Sequence, residues 1–353
     1  MATAYFAIPG DITLPTGGYA YDREVLARLP AAGVAVGHLA LPGGYPDPSR
    51  DDLARTADLV AGTPSGAVLL IDGLAYGAMP AELIASFQRP IIALVHHPLC
   101  LEAGITPARG EALRALEIAA LARARRVVVT SPMTARTLAA DFGVPAERIT
   151  VAEPGTDVAT RARGSGDGHG IALLAVGSVV PRKGYDVLVR ALEVDAAAHG
   201  PDWHLHIVGA LDRSPPTVDA LRDQIARAGL GGCIEVVGPK PREALDAFYD
   251  RAGIFVLASH YEGYGMVLAE ALARGLPIVT TTGGAAAETV PDGAALKVSP
   301  GDPLALQQAL RRLMDDPGLR ARLADAAWAA GQNLPRWSDT AATIAEVIKE
   351  VRA

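Results

Sequence analysis

Two glutamates, Glu262 and Glu270, stand eight positions apart around an apolar, helix-like run that is entered through two glycines. From Met266 onward the residues are strong helix formers, so a helix is predicted to begin near Tyr264 to Met266. Helical side chains tilt toward the N-terminus, so Glu270 leans back toward the end that Glu262 precedes. Both carboxylates are therefore expected to border one ligand and to accept hydrogen bonds from sugar or ribose hydroxyls.

The predicted helix start is itself a candidate anion site. Its first amides have no partner within the helix, and the helix dipole adds partial positive charge there. Gly263 and Gly265 leave room for a ligand, and phosphate is the anion most often bound at such a position. A purely structural interpretation stays open, in which Glu262 complements the dipole and Glu270 pairs with Arg274 four positions on.

A second loop carries two adjacent cations, Arg182 and Lys183, between a strand-like run that ends at Gly177 and a helical segment after Gly184. Arginine can hold a diphosphate through two hydrogen bonds and lysine acts as a point charge, so the pair suits a diphosphate ligand. An exposed turn with solvated charges is the alternative. Only four lysines occur in the chain against 28 arginines, and this scarcity favours a functional role for Lys183.

The first half offers a similar arrangement of small and polar residues. Gly17 and Gly18 stand just before a predicted helix and form a second candidate backbone cradle for phosphate. His96 and His97 follow the apolar run "IIALV", at the carboxyl end of a predicted strand, where ligands bind in open α/β sheets. A structural histidine is the alternative at this position.

Asp72 and Tyr76 are the candidates for contact with an acceptor. Asp72 ends the run "VLLID", where it could orient an acceptor hydroxyl or cap a helix, and the sequence does not separate the two. No DxD pair occurs, and no cluster of His, Cys and carboxylates has the spacing of metal ligands, so no metal is expected. Leaving-group charge would then be stabilised by helix ends, Arg182 and Lys183.

Composition limits the class of protein. The chain has 353 residues and a formal net charge of −7, which argues against nucleic-acid binding as the main role. No apolar run approaches the roughly 18 residues of a membrane span. Two distant cysteines and the absence of a secretory signal favour a cytoplasmic protein. The basic cluster Arg123–Arg126 leaves open a peripheral contact with the inner face of a membrane.

Strand-like runs alternate with amphipathic segments along the whole chain, which is typical of βαβ units in doubly wound sheets. After Thr156, a stretch rich in Gly, Ser, Asp and Arg predicts a linker, and a second series of runs starts at Ile171. We therefore predict an α/β protein with one domain over residues 1–165 and a second over residues 166–335.

Three segments of the second half together resemble the retaining GT-B glycosyltransferases of the family 4 type, the glycosyl transferases group 1. They are "GSVVPRKG" at 177–184, "YEGYGMVLAEALARGLPIV" at 261–279 and "GGAAAE" at 283–288. The first half resembles the family more loosely, through "GGYAYDRE" and His96. The resemblance implies two Rossmann-like domains that face each other across a cleft, with residues 336–353 as a helix that crosses back to the first domain.

The resemblance also implies a role for each candidate. Four side chains would act on the reacting groups: His96 and Glu262 at the donor sugar, and Arg182 and Lys183 at the diphosphate. Glu270 would hold the nucleotide ribose. The remaining donor-binding positions are Gly18, Gly177, Ser178, Gly263, Tyr264, Gly265 and Met266. Ser178 departs from the pattern, because family members often have an arginine there.

The expected reaction moves a sugar from a nucleoside-diphosphate sugar to a sugar, lipid-linked or small-molecule acceptor, with retention of anomeric configuration and without a cofactor. Two alternatives stay open: a nucleotide-sugar 2-epimerase on the same architecture, and a non-catalytic relative that only binds nucleotide-sugars. The sequence identifies neither the sugar, the base nor the acceptor.

Overall fold

The computed structural model describes residues 3–166 and 170–352, and these divide into two compact units. The first unit contains the described residues up to Gly155 and those from Pro335 onward. The second unit runs from Thr156 to Leu334. Each unit has its own core and its own sheet, as the alternation of strand-like and helical segments predicts.

The division between the units lies at residue 155, ten residues before the boundary that the sequence predicts. The segment that follows it lacks apolar periodicity, but its backbone is bound to the second unit. Ala162 donates to the carbonyl of Arg274, and Arg163 donates to that of Asp250. These main-chain hydrogen bonds attach the segment to the second unit, so the linker is shorter than predicted. The hydrophobic pattern does not record hydrogen bonds of the main chain, and the sequence therefore placed the boundary too late.

The first unit contains a six-stranded parallel sheet with strand order β2-β1-β3-β4-β5-β6. Its strands are β1 (Ala4–Pro9), β2 (Val36–Leu41), β3 (Val68–Asp72), β4 (Ile91–Val95), β5 (Arg126–Val129) and β6 (Ile149–Val151). All residues of β3 and β4 are buried, because helices cover both faces of a parallel sheet of this kind.

The α-helices in the described part of the first unit are α1 (Gly17–Arg28), α2 (Arg50–Ala61), α3 (Gly73–Tyr76), α4 (Ala81–Ser86), α5 (Pro107–Leu121), α6 (Pro132–Asp141) and α14 (Trp337–Arg352). Helix α14 is the C-terminal segment, and it packs against α1. Thr340 donates to the carbonyl of Glu153, and the ring of Trp337 meets that of Tyr21 edge-on. These contacts explain why the end of the chain returns to the first unit.

The second unit contains another six-stranded parallel sheet, with order β12-β11-β10-β7-β8-β9. Its strands are β7 (Ile171–Val176), β8 (Trp203–Val208), β9 (Ile234–Gly238), β10 (Ile254–Leu257), β11 (Ile278–Thr281) and β12 (Ala295–Val298). Its helices are α7 (Tyr185–His199), α8 (Pro215–Arg227), α9 (Arg242–Arg251), α10 (Met266–Ala273), α11 (Ala286–Thr289), α12 (Pro303–Asp315) and α13 (Pro317–Gly331). The predicted α/β class, with two Rossmann-like doubly wound units, is confirmed.

Strand order reverses between β1 and β3 in the first sheet and between β7 and β10 in the second. At such a switch point, the loops that leave neighbouring strands diverge to opposite faces and open a crevice for ligands. Gly18 lies at the start of α1, the helix that follows β1, and Asp72 is the last residue of β3. The loops after β7 and β10 contain Lys183 and Glu262. These candidate residues, which the sequence analysis selected for their chemistry, thus lie at the switch point of each sheet, where a ligand can bind.

Candidate functional site

The loop after β7 presents Arg182 and Lys183 in a short 3-10 turn, Pro181–Lys183. Gly184 follows with a φ of +62° and starts α7. A side chain at this position would collide with the carbonyl oxygen of Ala258 at the end of β10. Glycine therefore allows the two loops to touch, and this contact brings both cations to the end of β10.

Lys183 and Glu262 form a buried ion pair at this meeting of loops. Lys183 Nζ donates to Glu262 Oε1 across 2.7 Å, and Ser259 Oγ donates to the same oxygen across 2.6 Å. Burial acts to raise the pKa of the Glu262 carboxyl, but the charges of Lys183 and Arg182 outweigh it and lower that pKa to about 2. Glu262 is therefore an ionised hydrogen-bond acceptor at neutral pH and not a general acid.

Arg182 extends the network along the backbone. Its guanidinium donates to the carbonyl of Tyr261 across 2.7 Å and lies 3.3 Å from Glu262 Oε2. The amide of His260 donates back to the Arg182 carbonyl across 2.8 Å. Arg182, Lys183 and Glu262 together carry one net positive charge, which suits an anionic ligand.

Two further glycines hold the backbone of Glu262 in place. The Glu262 amide donates to the carbonyl of Gly283, and the Glu262 carbonyl accepts from Ala285. A side chain at Gly283 or Gly284 would collide with main-chain atoms of His260 or Glu262. The segment "GGAAAE" at 283–288 thus packs main chain against main chain and fixes the loop that carries Glu262.

Helix α10 begins at Met266, as the sequence predicts, with Gly265 as its N-cap at a φ of +89°. Its first amides lie four residues beyond Glu262 and point out of the helix start without an intrahelical acceptor. Tyr264 is buried, and its carbonyl accepts from Thr289 across 2.6 Å. The loop 263–266 is thus fixed by its neighbours, and its helix dipole adds positive charge at the same end of the sheet.

Glu270 does not form the surface ion pair with Arg274 that its spacing allows. Its Oε2 accepts from the hydroxyl of Tyr249 across 2.8 Å. Arg274 instead donates to Asp246 and to the Glu270 main-chain carbonyl, and its guanidinium lies 4.4 Å from the centre of the Tyr249 ring. Burial raises the pKa of the Glu270 carboxyl. Tyr249 thus orients Glu270, as expected for a carboxylate that must meet a ligand in one geometry.

Strand β7 ends at Val176, directly before Gly177, where the sequence predicts the end of a strand. Gly177 has a φ of +150°, and its carbonyl accepts from the hydroxyl of Tyr185 across 2.9 Å. A side chain at Gly177 would crowd Lys183 and Tyr185. Ser178 follows as a half-buried residue in the same loop.

In the first unit, His96 lies between two aspartates. His96 Nε2 is 3.3 Å from Asp22 Oδ1 and 3.3 Å from Asp72 Oδ2. Gly18 lies against the ring, since a Cβ there would stand 3.5 Å from His96 Cδ2. One carboxylate oxygen of Asp22, one of Asp72 and a ring nitrogen of His96 all lie within 4.8 Å of one another. This Asp-His-Asp cluster joins α1, the end of β3 and the end of β4.

Burial and charge act in opposite directions within the Asp-His-Asp cluster. Burial acts to lower the pKa of the His96 imidazole, but the two aspartates outweigh it and raise that pKa. Burial and the charge of Asp72 raise the pKa of the Asp22 carboxyl. Burial would also raise the pKa of Asp72, but His96 and two hydrogen bonds lower it. Asp72 is thus the aspartate of the pair that stays ionised.

The two residues that were candidates for contact with an acceptor have hydrogen-bond partners within the first unit. Tyr76 is fully buried, and its hydroxyl donates to the carbonyl of Ala120, because α3 turns this side chain toward the core of the first unit. Asp72 is 3% exposed; its Oδ1 caps α3 by accepting from the Leu74 amide. Tyr76 is therefore a core residue, and the prediction that it contacts an acceptor is wrong.

Three residues of the site were missed in the sequence: Asp22, Tyr249 and Ser259. Asp22 could have been found, because it stands three and seven positions before Val25 and Leu29, on the buried face of α1. An acid in such an apolar series needs a partner within the fold. Tyr249 is 21 positions from Glu270, and no local pattern links the two.

Family models match most of the chain. The family described as "Glycosyl transferases group 1" matches residues 161–329, and "Glycosyltransferase Family 4" matches residues 67–160. A D-inositol 3-phosphate glycosyltransferase of Acidothermus cellulolyticus is 32% identical over 247 residues, 66% of this chain and 55% of the relative. The chain spans about half the length of the first curated relatives that it matches.

Solved structures share the fold. Sucrose-phosphate synthase from Thermosynechococcus elongatus has a TM-score of 0.82 at 21% identity and covers 98% of both chains. Anabaena Alr3699/HepE, in complex with UDP and glucose, has a TM-score of 0.77 at 18% identity over 98% of this chain and 100% of its own. None of the helices within residues 3–166 and 170–352 has the length and apolar character needed to cross a membrane.

Proposed function

The chain belongs to the glycosyltransferases of the family 4 type, and we propose that it transfers a sugar from a nucleoside-diphosphate sugar to an acceptor hydroxyl. The observation that carries this proposal is the buried contact of Lys183 with Glu262 at the switch point of the second sheet. In this contact, Lys183 is a cation that can bind a phosphate, and Glu262 is an ionised carboxylate that can accept hydrogen bonds from hydroxyls. Both lie close to the start of a helix, where anions bind.

In this proposal the diphosphate binds at the start of α10, with Arg182 and Lys183 as its cationic partners. Glu262 accepts hydrogen bonds from the donor sugar, and Glu270, held by Tyr249, accepts them from the ribose. The presence of UDP and glucose in the Alr3699/HepE structure supports a ligand of this chemical class. As the bond between the sugar and the diphosphate breaks, charge grows on the phosphate oxygen, and these fixed cations and amides stabilise it.

The first unit is proposed to supply the acceptor side of the reaction. His96 and Gly18, at the start of α1, would contact the donor, and the acceptor hydroxyl would attack the anomeric carbon with retention of configuration. A sugar, a lipid-linked sugar or a small molecule is the proposed acceptor, and the lipid-linked case would use a peripheral contact with a membrane. No cofactor beyond the donor is proposed.

The proposal is tested with purified protein, a panel of UDP-, GDP- and ADP-sugars and an extract that contains acceptors. We expect release of a nucleoside diphosphate that depends on the extract, together with a product whose mass exceeds that of an acceptor by one sugar. Lys183→Met should reduce this release by at least about 100-fold. Lys240→Met, which removes an exposed lysine of the same unit, is the matched control.

Two other outcomes would contradict the transferase proposal. Conversion of the donor into an isomeric nucleotide-sugar without an acceptor would identify an epimerase instead. Tight binding of a donor without turnover under any acceptor would identify a non-catalytic binding protein, with Ser178 in place of arginine as the first position to restore.

A further inference from the structure

The Asp-His-Asp cluster presents an electrostatic problem that its own residues must solve. Asp22 is completely buried and Asp72 is 3% exposed, yet the two carboxylates face the same imidazole nitrogen. Two ionised carboxylates that face one nitrogen repel each other strongly in a buried site. A neutral histidine would leave both charges uncompensated.

The geometry around His96 Nε2 is unusual as well. One ring N–H cannot point at two oxygens at once, and both distances are 3.3 Å, longer than a good hydrogen bond of this type. Among the residues that the structure describes, both Asp22 oxygens and His96 Nε2 are buried atoms without a hydrogen bond of good geometry. Buried polar atoms of this kind require a compensating proton or ion.

The remaining neighbours of the ring do not supply that charge. Tyr21 meets the His96 ring edge-on at 5.2 Å, but its hydroxyl donates to the Ala152 carbonyl, and burial raises its pKa. Thr130 donates to the main-chain carbonyl of His96. Neither neighbour therefore compensates the charge of the two aspartates.

We propose that the Asp-His-Asp cluster is a neutral unit that shares protons, in which Asp22 holds a proton, Asp72 is ionised and His96 is an imidazolium. The Asp22 hydroxyl donates to Asp72, and the Nε2–H of His96 lies between the two carboxyl groups. The charges of His96 and Asp72 then cancel, and no buried oxygen is left ionised without a partner. The directions of the three pKa shifts agree with this distribution of protons.

A divalent cation would be another way to neutralise the cluster, because carboxylate oxygens and imidazole are metal ligands. The burial of the atoms favours protons. Both Asp22 oxygens and His96 Nε2 are shielded from solvent, so water has no access to complete a coordination shell. Protons need no additional volume.

This distribution has a consequence for the reaction, which rests on the proposed function. Nε2 is buried while the His96 side chain is 21% exposed, so the exposed atoms of this side chain do not include Nε2. In an imidazolium the second ring nitrogen, Nδ1, carries a proton as well. His96 therefore donates a hydrogen bond to the donor sugar and does not act as a general base. Asp22 and Asp72 are positioning residues that keep it in this state.

The protonation state can be measured without any substrate, so its test is independent of the proposed function. The full-length protein, labelled with 15N in its eight histidines, is titrated by NMR, and His96→Gln identifies the His96 signals. We expect both ring nitrogens of His96 to show imidazolium shifts between about pH 5.5 and about pH 8.5, whereas an ordinary histidine titrates near 6.5. A His96 midpoint near or below 6.5 in the wild-type protein would overturn the proposal.

Variants separate the roles of the two aspartates. Asp22→Asn mimics a protonated Asp22 and should leave His96 an imidazolium through this range. Asp22→Asn/Asp72→Asn removes the ionised partner, keeps an oxygen to cap α3, and should move the His96 midpoint below 6.5, because burial then acts alone. An unchanged midpoint in this double variant would contradict the proposal.

The same labelled protein is tested for a bound metal. Mass spectrometry measures its zinc, manganese and magnesium content, and NMR measures whether the His96 Nε2 signal shifts on dialysis against a chelator. A stoichiometric metal together with such a shift would overturn the proposal and identify a metal site. We expect no bound metal and no effect of the chelator on these signals.

Discussion

Lys183 Nζ and Glu262 Oε1 lie 2.7 Å apart, and this contact ties the loop after β7 to the loop after β10. Lys183 is 9% exposed and Glu262 is 5% exposed, so neither charge is solvated by bulk water. Each charge therefore stabilises the other, and each residue can be buried as an ion because its partner is present. A phosphate that approaches Lys183 would find a cation whose position is already fixed by Glu262.

Removal of one partner of this pair should be more harmful than removal of both. Lys183→Met removes the nearer of the two cations from a buried, ionised carboxylate and should lower the free energy of unfolding by up to about 3–5 kcal/mol. Glu262→Gln should also destabilise the protein, whereas Lys183→Met/Glu262→Gln should recover at least about half of the loss. Urea unfolding of the three variants measures this coupling. Additive losses would show that the two side chains act independently.

Glu270 is expected to contribute to nucleotide binding and Glu262 to the handling of the sugar. Glu270→Gln weakens its hydrogen bonds to the ribose and should reduce the affinity for the preferred nucleoside diphosphate about 10-fold, or about 1.4 kcal/mol. Glu262→Gln should change the same affinity less than about threefold. Calorimetric titration with UDP, GDP and ADP measures both effects.

Tyr249→Phe provides the control for this division of roles. It leaves the Glu270 carboxylate in place but removes the hydroxyl that orients it. Its effect on nucleotide affinity should fall between those of the two glutamate variants. Equal losses from Glu262→Gln and Glu270→Gln would contradict the assignment of sugar and ribose to separate glutamates.

Gly184 tests the contact between the two loops through the backbone alone. Gly184→Ala meets two obstacles, a φ of +62° and a collision of the new Cβ with the Ala258 carbonyl. Gly229 has a similar φ of +69° but no atom within 4 Å of a new Cβ, so Gly229→Ala isolates the conformational cost. We expect about 1–2 kcal/mol for Gly229→Ala and at least about 3 kcal/mol for Gly184→Ala, measured by urea unfolding. Equal costs would mean that the collision is relieved without moving β10.

The fold was readable because buried parallel strands are short apolar runs, and β3, β4 and β7 have this pattern. β2 lacks this pattern, since this edge strand, Val36–Leu41, has few buried side chains and a glycine and a histidine among its residues. The positions of Lys183 and Glu262 after strands were predictable as well. Their contact was not, because 79 residues separate them and only the strand order brings β7 beside β10.

The first unit shows the same limit more sharply. His96 was found from its place directly after β4, and Asp72 from its place at the end of β3. Asp22 was missed, because a carboxylate on a helix is usually assigned to solvent, although its spacing from Val25 and Leu29 places it on the buried face of α1. Tyr76 was misplaced since a four-residue helix has no periodicity from which its direction could be read. Local pattern therefore located the strand ends but not the side-chain partners that complete the site.

Glu117 on α5 gives a prediction about stability that is independent of the proposed reaction. Glu117 is 1% exposed; its Oε2 accepts from the Leu99 amide across 3.1 Å. Burial raises the pKa of this carboxyl to about 8, against an ordinary value of 4.5. Between these values the folded protein holds a proton that the unfolded chain has lost. Stability should therefore fall as pH rises from 4.5 to 8, by at most about 1.4 kcal/mol per pH unit from this group.

Glu117→Gln removes this titration, so its free energy of unfolding should rise relative to the wild-type protein as pH increases over the same interval. The Asp-His-Asp cluster contributes a decline of the same sign in both proteins, and the difference between them isolates Glu117. Glu111→Gln changes an exposed glutamate of the same helix and is the matched control. Urea unfolding at several pH values measures the difference. A gap between Glu117→Gln and wild type that is constant with pH would show that Glu117 is ionised in the folded protein.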